Sequence, residues 1–498
     1  MSLNGLDSFG GKYLPHCTIQ IKDEVNVKLE GLDLVTRRKL TNKFKYEIPG
    51  ARFMPAVKLG RWDGTVSFFT QGGLTYVNLL EDIMPILEEN NYTFDLQDER
   101  EAYNLTFDKV NTETFSHVAW PAGHNNAGEP ISLRDHQVEV INNFLDNPQC
   151  LQEVATAAGK TIITAVLSKL IEPYGRSIII VPNKSLVTQT QEDYVNMGLD
   201  VGVYFGDKKE VGHTHTIATW QSLNILEKKR LNAEDDLIEE FKRDVVCVIV
   251  DEVHMAKADV LRRLLTNVYG YVPIRWGLTG TIPKAEYEFK SLHVSLGNVI
   301  NKVSAVDLQE KGLLANLNIE IMQLNDFVEY KNYREEQTYL VTKQERINYI
   351  GRMVEQMSQS GNTLVLVDRI KSGELLTSAV PGATFVSGSM KASDRKNTYD
   401  EIKEGEGKII VATYGVAAVG INLPRIFNLV LLEPGKSFVR VIQSIGRGIR
   451  KAKDKDFVRI WDICSTAKFS KRHLTERKKF YREAEYPFNI TKVDYQQP

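Results

Sequence analysis

From about residue 130 to 300, short apolar runs alternate with stretches whose apolar positions recur at helical spacing. Residues 177–181, 216–219, 245–250 and 276–279 have the length and β-branched character of strands. That rhythm predicts βαβ units and a doubly wound parallel sheet. A second series of apolar runs follows after about 340, at 363–367, 384–386, 408–412, 429–432 and 458–461. Two α/β domains in tandem are therefore expected. Between them, residues 303–340 carry mixed charge and tyrosines without clear periodicity, which reads as a linker or crossover. Residues 1–115 hold short alternating runs, Gly72-Gly73 and Trp62-Asp63-Gly64, and predict a small separate α+β domain. The expected organisation is an accessory domain at 1–115, α/β domains at 116–302 and 303–470, and a basic tail at 471–498.

Length agrees with that count, because 498 residues exceed what one hydrophobic core usually holds. The net charge of −2 gives no global sign of nucleic-acid binding, so any such surface must be a local patch. One patch is visible near the C-terminus, where Lys468, Lys471, Arg472, Arg477, Lys478, Lys479 and Arg482 cluster with Phe480 and Tyr481. A solvated helix face is the commoner explanation for such a run, with a grip on a duplex arm behind it. Cys17, Cys150, Cys247 and Cys464 form no C-x-x-C pair, which favours buried free thiols over a zinc ribbon or disulfide framework. Apolar runs stop well short of a membrane span, and the N-terminus carries no basic segment followed by an apolar one. A cytoplasmic protein without a membrane partner is expected.

Two segments carry chemistry. Ala155-Thr156-Ala157-Ala158-Gly159-Lys160-Thr161 offers a backbone that can approach phosphates, a lysine for their charge and a hydroxyl for Mg²⁺. The continuous β-branched run at 245–250 reads as a strand buried on both faces, with Asp251 and Glu252 at its carboxyl end. Ligands of open α/β sheets bind at that edge, so one carboxylate can reach the metal and the other the attacking water. Val154 and Ala157 stand where phosphate loops often have glycine, and Gly-Lys-Thr can also open an ordinary helix. The acidic pair shifts the balance toward an ATP-driven motor. The second α/β domain lacks a phosphate loop of its own but contains Gln443-Ser-Ile-Gly446-Arg447-Gly-Ile-Arg450. Two arginines about one helical turn apart share a face and can complete a site across a cleft, although surface ion pairing is the ordinary fate of such a pair.

Taken in order, Leu133-Arg134-Asp135-His136-Gln137, residues 155–161, Val181-Pro182 through Gln189, Thr219-Trp220-Gln221-Ser222, residues 251–254, Leu278-Thr279-Gly280-Thr281, Val411-Ala412-Thr413 through Gly420-Ile421-Asn422, and residues 443–450 resemble the superfamily 2 helicases of the DExH type. The resemblance covers roughly residues 130–455. It implies two tandem RecA-like parallel-sheet domains that use ATP and Mg²⁺. Arg134 and Gln137 would lie on the adenine side. Ala157, Ala158, Gly159, Lys160 and Thr161 would cradle phosphates, with Thr161 and Asp251 on the metal and Glu252 on the water. His254, Thr279 and Thr281 would couple hydrolysis to movement; Gly420, Gln443, Arg447 and Arg450 would complete the site. Pro182, Thr219, Ser387, Gly388 and Thr413 would touch the nucleic-acid backbone. The family also implies 3′ to 5′ travel. His136 stands where tyrosine is common, and Asn422 where relatives often have Asp.

In the first domain, Arg52-Phe53-Met54-Pro55 and Gly60-Arg61-Trp62-Asp63-Gly64, followed by residues 66–69, are similar to the accessory domain of phage branched-DNA helicases of the UvsW type. On that resemblance Arg52, Lys58 and Arg61 become candidate phosphate contacts. Phe53 and Trp62 read most simply as core residues, and Asp63-Gly64 as a hairpin turn. The resemblance implies branched or duplex DNA as partner, an RNA–DNA hybrid as a further one, a monomeric motor, and the host cytoplasm as location if the source is a phage. An RNA helicase, an ATP-switched remodelling protein that never separates strands, and a translocating subunit of a restriction system remain open alternatives.

Overall fold

The computed structural model describes residues 14–120, 127–155, 158–232, 237–388, 390, 398, 405–417, 425–435 and 454–496. Its first RecA-like domain is an eight-stranded sheet in the order Lys208–Lys209, Val201–Phe205, His215–Thr219, Arg176–Val181, Val245–Asp251, Ile274–Thr279, Gln149–Val154, Asn298–Val303. All neighbours pair in parallel except the short antiparallel first strand. Val245–Asp251 is buried along its whole length, as an uninterrupted apolar run of mostly β-branched residues requires in a sheet covered by helices on both faces. Parallel pairing has a direct consequence for chemistry. Every residue that leaves a strand at its carboxyl end leaves at the same edge, so Pro182, Thr219, Asp251 and Thr279 share one rim.

The second domain repeats the plan with seven parallel strands, Ala383–Val386, Ile409–Thr413, Thr363–Val367, Asn428–Leu432, Phe457–Ser465, Asn316–Leu324 and Phe488–Val493. The structure departs from the sequence reading at two stretches. The stretch read as a linker supplies Asn316–Leu324, which pairs on both sides, and a helix Tyr333–Thr342. Asn316, Asn318 and Glu320 alternate with Leu317, Ile319 and Ile321, of which only the apolar set is deeply buried, and the strand ends with Gln323 and Leu324 both buried. The stretch read as a basic tail supplies most of the helix Lys468–Glu483 and the strand Phe488–Val493. Arg477 and Tyr481 on that helix are fully buried against Asp462, so this cluster is in part an internal ion pair.

The N-terminal unit is α+β. Leu74–Tyr76, Asn26–Glu30, His16–Ile21 and Thr93–Asp98 form a four-stranded sheet, with helices Leu34–Lys43 and Leu80–Glu89 closing its core. Asp33 caps the first helix by accepting from the Val35 and Thr36 amides. A separate two-stranded ribbon, Lys45–Glu47 with Thr65–Ser67, carries the 48–64 arm. Gly64 lies across from Ile48 at the foot of that arm, so the expected Asp63-Gly64 hairpin turn is absent. Phe53, expected in the core, is 64% exposed, and Trp62 is half-buried with its indole N–H donating to the Thr65 carbonyl. Past this unit, Val110 and Phe115 join the core of the first RecA-like domain, with Leu105 and Phe107 packed against it.

Polar and apolar contacts fix the N-terminal unit to the first RecA-like domain. Asn26 donates to the Thr266 carbonyl at 2.7 Å, Arg262 donates to the Tyr76 hydroxyl at 2.7 Å, and Asn78 and His293 exchange hydrogen bonds through their backbone carbonyls. Tyr287 and Val294 of the helix Glu286–Leu296 belong to the N-terminal core itself. Arg275, on the strand Ile274–Thr279, is wholly buried and donates to the carbonyls of Ser295, Tyr269 and Leu265, tying helix ends beneath that junction. Burial holds its pKa down to about 10, against the opposing pull of Asp23 and Glu24.

Candidate nucleotide and nucleic-acid sites

The phosphate-loop residues meet the acidic pair at the rim of the first sheet. Gly159 adopts a left-handed conformation (φ +85°) and opens the helix Lys160–Ile171. A side chain at that position would be strained by the backbone, and its Cβ would come within 2.4 Å of the Gln137 amide nitrogen. Lys160 is buried with its ammonium 2.8 Å from a Glu252 carboxylate oxygen and 3.3 Å from the Val154 carbonyl. Thr161 follows on the same first turn, where unpaired helix N–H groups favour an anion.

Glu252 itself stands in a left-handed backbone conformation (φ +51°), rare for a residue with a side chain. Its amide donates to Asp251 at 2.9 Å, and its carboxylate accepts from the Gly280 amide at 3.4 Å. His254 lies 3.5 Å from the same carboxylate and shares a 2.5 Å hydrogen bond with the Thr279 hydroxyl. Thr279 in turn donates to the Thr281 carbonyl at 2.8 Å and accepts from the Thr281 amide. A continuous polar chain therefore runs Lys160, Glu252, His254, Thr279, Thr281. Lys160, expected to hold phosphate, and His254, Thr279 and Thr281, expected to couple hydrolysis to motion, are joined in one network.

Charge in this network is strongly biased. Burial, then the neighbouring Glu252 charge, push Asp251 up to about 7 against the pull of Lys160. Burial alone would raise Glu252, but Lys160 and then His254 outweigh it and its pKa is lowered. Burial lowers His254. A buried carboxylate that is electrostatically short of positive charge, beside a helix N-terminus and a buried lysine, is a donor set that fits Mg²⁺ with a polyphosphate.

On the far side of the loop, Gln137 accepts from the Arg134 amide at 2.9 Å and donates to the Ala158 carbonyl, while the Arg134 side chain is exposed. The sequence treated His136 only as a departure from a common pattern. In the structure its ring nitrogen lies 2.8 Å from the Ala158 carbonyl, so it and Gln137 clamp the phosphate loop from one helix. Spacing held the signal: His136 and Gln137 open the helix Asp135–Asp146 and are both buried.

Pro182, Thr219, Ser387, Gly388 and Thr413 all follow or end strands at carboxyl edges of the two sheets. Thr219 uses its hydroxyl to cap the helix Trp220–Leu231, and the Pro182 carbonyl accepts from Gln221 at 3.2 Å. Ser387 is buried and Gly388 exposed. Arg52, Lys58 and Arg61 are exposed on the N-terminal arm. Ala157, Gly420, Gln443, Arg447 and Arg450 lie outside the described residues. Between the domains lies a cavity of about 560 Å³ lined by Ala155, Thr281, Lys284, Lys302, Asp307 and Tyr486 among others, where Lys284 pairs with Glu483 across the gap.

Residues 130–284 match the family model for the res subunit of type III restriction enzymes, and residues 345–452 match the helicase conserved C-terminal domain. Two such domains, with the polar chain between phosphate loop and acidic turn, define the class: the chain belongs to the superfamily 2 helicases and is an ATP-dependent helicase. Within that class it is UvsW-like. It is 24% identical over 471 residues to the ATP-dependent DNA helicase uvsW of enterobacteria phage T4, covering 89% of this chain and 90% of that protein. The DNA 3′-5′ helicase XPB of Mycobacterium tuberculosis is 23% identical over 403 residues, covering 76% of this chain and 71% of that one. The fold is shared with the DNA-bound Type ISP restriction-modification enzyme LlaBIII, at a TM-score of 0.57 and 14% identity over 84% of this chain and 36% of that one. No helix among the described residues is long and apolar enough to cross a membrane.

Proposed function

We propose that the chain is a 3′ to 5′ motor acting on branched DNA, migrating junctions, regressing forks and displacing RNA from RNA–DNA hybrids as a monomer. The observation that carries this reading is the N-terminal unit with its basic arm, which is fastened to the ATP-binding domain by side-chain hydrogen bonds and a shared core. A duplex held by that unit stays in register with the motor while one strand is drawn across the two rims.

In this reading Lys160 would hold the terminal phosphates, Thr161 and Asp251 would hold Mg²⁺, and Glu252 would orient the attacking water. The nucleotide supplies, when bound, the phosphoryl transfer that drives the cycle. Lys160 exchanges its Glu252 partner for phosphate, and the freed carboxylate becomes able to accept a proton from water. His254, Thr279 and Thr281 transmit that change because each touches the next in the chain. Gln443, Arg447 and Arg450 would complete the site from the second domain. Backbone contacts through Pro182, Thr219, Ser387, Gly388 and Thr413 give a grip indifferent to sequence, which tracking requires.

The test is strand separation with Mg²⁺ and ATP on a four-way DNA junction, a tailed linear duplex of matching sequence with either polarity of tail, and the corresponding RNA duplex. Preference for the junction, with 3′-tailed linear duplex ahead of 5′-tailed, is the expected result. Activity confined to RNA overturns the DNA assignment, and hydrolysis without separation on any substrate favours a clamp or remodelling switch.

A further inference from the structure

The arm between Gly50 and Gly64 does the opposite of what its composition predicts. Phe53 and Leu59 are each 64% exposed and Met54 40%, with Arg52, Lys58 and Arg61 exposed around them. The Arg52 guanidinium lies 4.8 Å from the Phe53 ring centre, covering part of the ring and leaving the rest to solvent. The arm is also firmly shaped. Pro55 opens a short turn of helix, Pro55–Lys58, and Gly50 and Gly60 take left-handed conformations at either end. Ala51 is buried at its foot, where a Cβ on Gly64 would approach the Ala51 side chain to 2.9 Å. Asp63 accepts from Thr65 and pairs with Lys45 at 2.6 Å, pinning the return strand.

The ribbon that carries this arm packs on the helix Glu286–Leu296. That helix follows the Thr279-Gly280-Thr281 turn of the motor. An apolar prow set among cations and mounted on a rigid base matches a ligand with anionic flanks and flat apolar faces. Nucleic acid at a branch point, where terminal base pairs lose a stacking neighbour, has both.

We propose that Phe53 and Leu59 are a wedge that enters the fork of a branched DNA and stacks on its terminal base pairs, while Arg52, Lys58 and Arg61 hold the flanking phosphates. This rests on the branched-DNA reading above. The wedge acts as a fixed post: the motor pulls strand past it, and separation occurs where the stack is broken.

The test compares the native chain with Phe53→Ala/Leu59→Ala and Phe53→Trp, using a four-way junction with 2-aminopurine beside the branch point. The side chains are exposed, so all three fold. ATP hydrolysis stimulated by linear duplex stays at the native level, because Arg52, Lys58 and Arg61 keep their charges and the motor is untouched. The double alanine variant separates junctions at least about tenfold more slowly and loses the 2-aminopurine response, whereas tryptophan keeps both. A native chain that separates junctions no faster than the double variant overturns the wedge alone. A native chain that separates no DNA and gives no 2-aminopurine response overturns both the wedge and the reading beneath it. Self-association of the native chain that the double variant abolishes, with junction activity unchanged, assigns the prow to a second copy instead.

Discussion

Replacing Lys160 with alanine strips the cation from a buried ion pair, and its cost follows from the geometry. Lys160 and Glu252 approach to 2.8 Å with side chains 8% and 10% exposed. At an effective dielectric of about 20, their attraction is about 6 kcal/mol before the cost of removing both from water. Lys160→Ala leaves Glu252 buried without its main counter-ion, which costs about 3–5 kcal/mol. For a domain of this size the melting temperature should fall by roughly 6–20 °C. Glu252→Gln on the same background removes the stranded charge, so the double variant should recover about 2 kcal/mol of that loss, a coupling readable from the four-protein cycle.

His254 adds a pH signature. Burial lowers its pKa, Glu252 pulls it up and Lys160 pushes it down. Without the lysine the folded-state pKa rises. A histidine held below its unfolded pKa costs stability as pH falls through the unfolded value, and that cost shrinks when the folded pKa rises toward it. Lys160→Ala should therefore be penalised more at pH 8 than at pH 6. Thermal melts of the single and double variants at both pH values, alongside ATP turnover and DNA binding, test the whole chain of reasoning. Turnover should vanish in both while DNA binding persists. A single variant as stable as the native chain, or a penalty equal at both pH values, refutes the electrostatic account.

Gly159→Ala should weaken nucleotide binding about tenfold, since the left-handed backbone costs about 1–2 kcal/mol and the new methyl displaces Gln137; fluorescent-nucleotide titration reads it. Thr279→Val removes the hydroxyl that joins His254 to Thr281 and should slow strand separation by about tenfold while ATP turnover falls less, as measured by the two assays in parallel. Arg346→Met strands Asp326 and Glu433, both buried beside it, and should cost about 3–5 kcal/mol in a thermal or urea melt of the intact chain. Arg346→Lys should recover only part of that, because one ammonium cannot reproduce the guanidinium fork.

Much of the motor was legible in the chain itself. Continuous β-branched runs mark strands buried on both faces, and parallel pairing forces their carboxyl ends to one rim, so the order of apolar runs and polar motifs already places Lys160, Asp251, Thr279, Pro182 and Thr219 on a common edge. Local pattern failed where burial was decided at a distance. Asn316–Leu324 reads as part of a linker because the surrounding stretch 303–340 mixes charges and tyrosines without a sustained period, and only pairing with Phe457–Ser465 and Phe488–Val493 makes it an inner strand. Arg477 counted as surface charge until Asp462, fifteen positions away, was found beneath it. Phe53 counted as core because it is aromatic, yet no neighbouring element covers it. Residue identity and spacing determine which backbone states and which chemistry are available. Only the tertiary structure decides which polar groups meet, which charges lose their water, and which apolar side chains are left for a partner, because those outcomes depend on contacts between segments far apart in the chain.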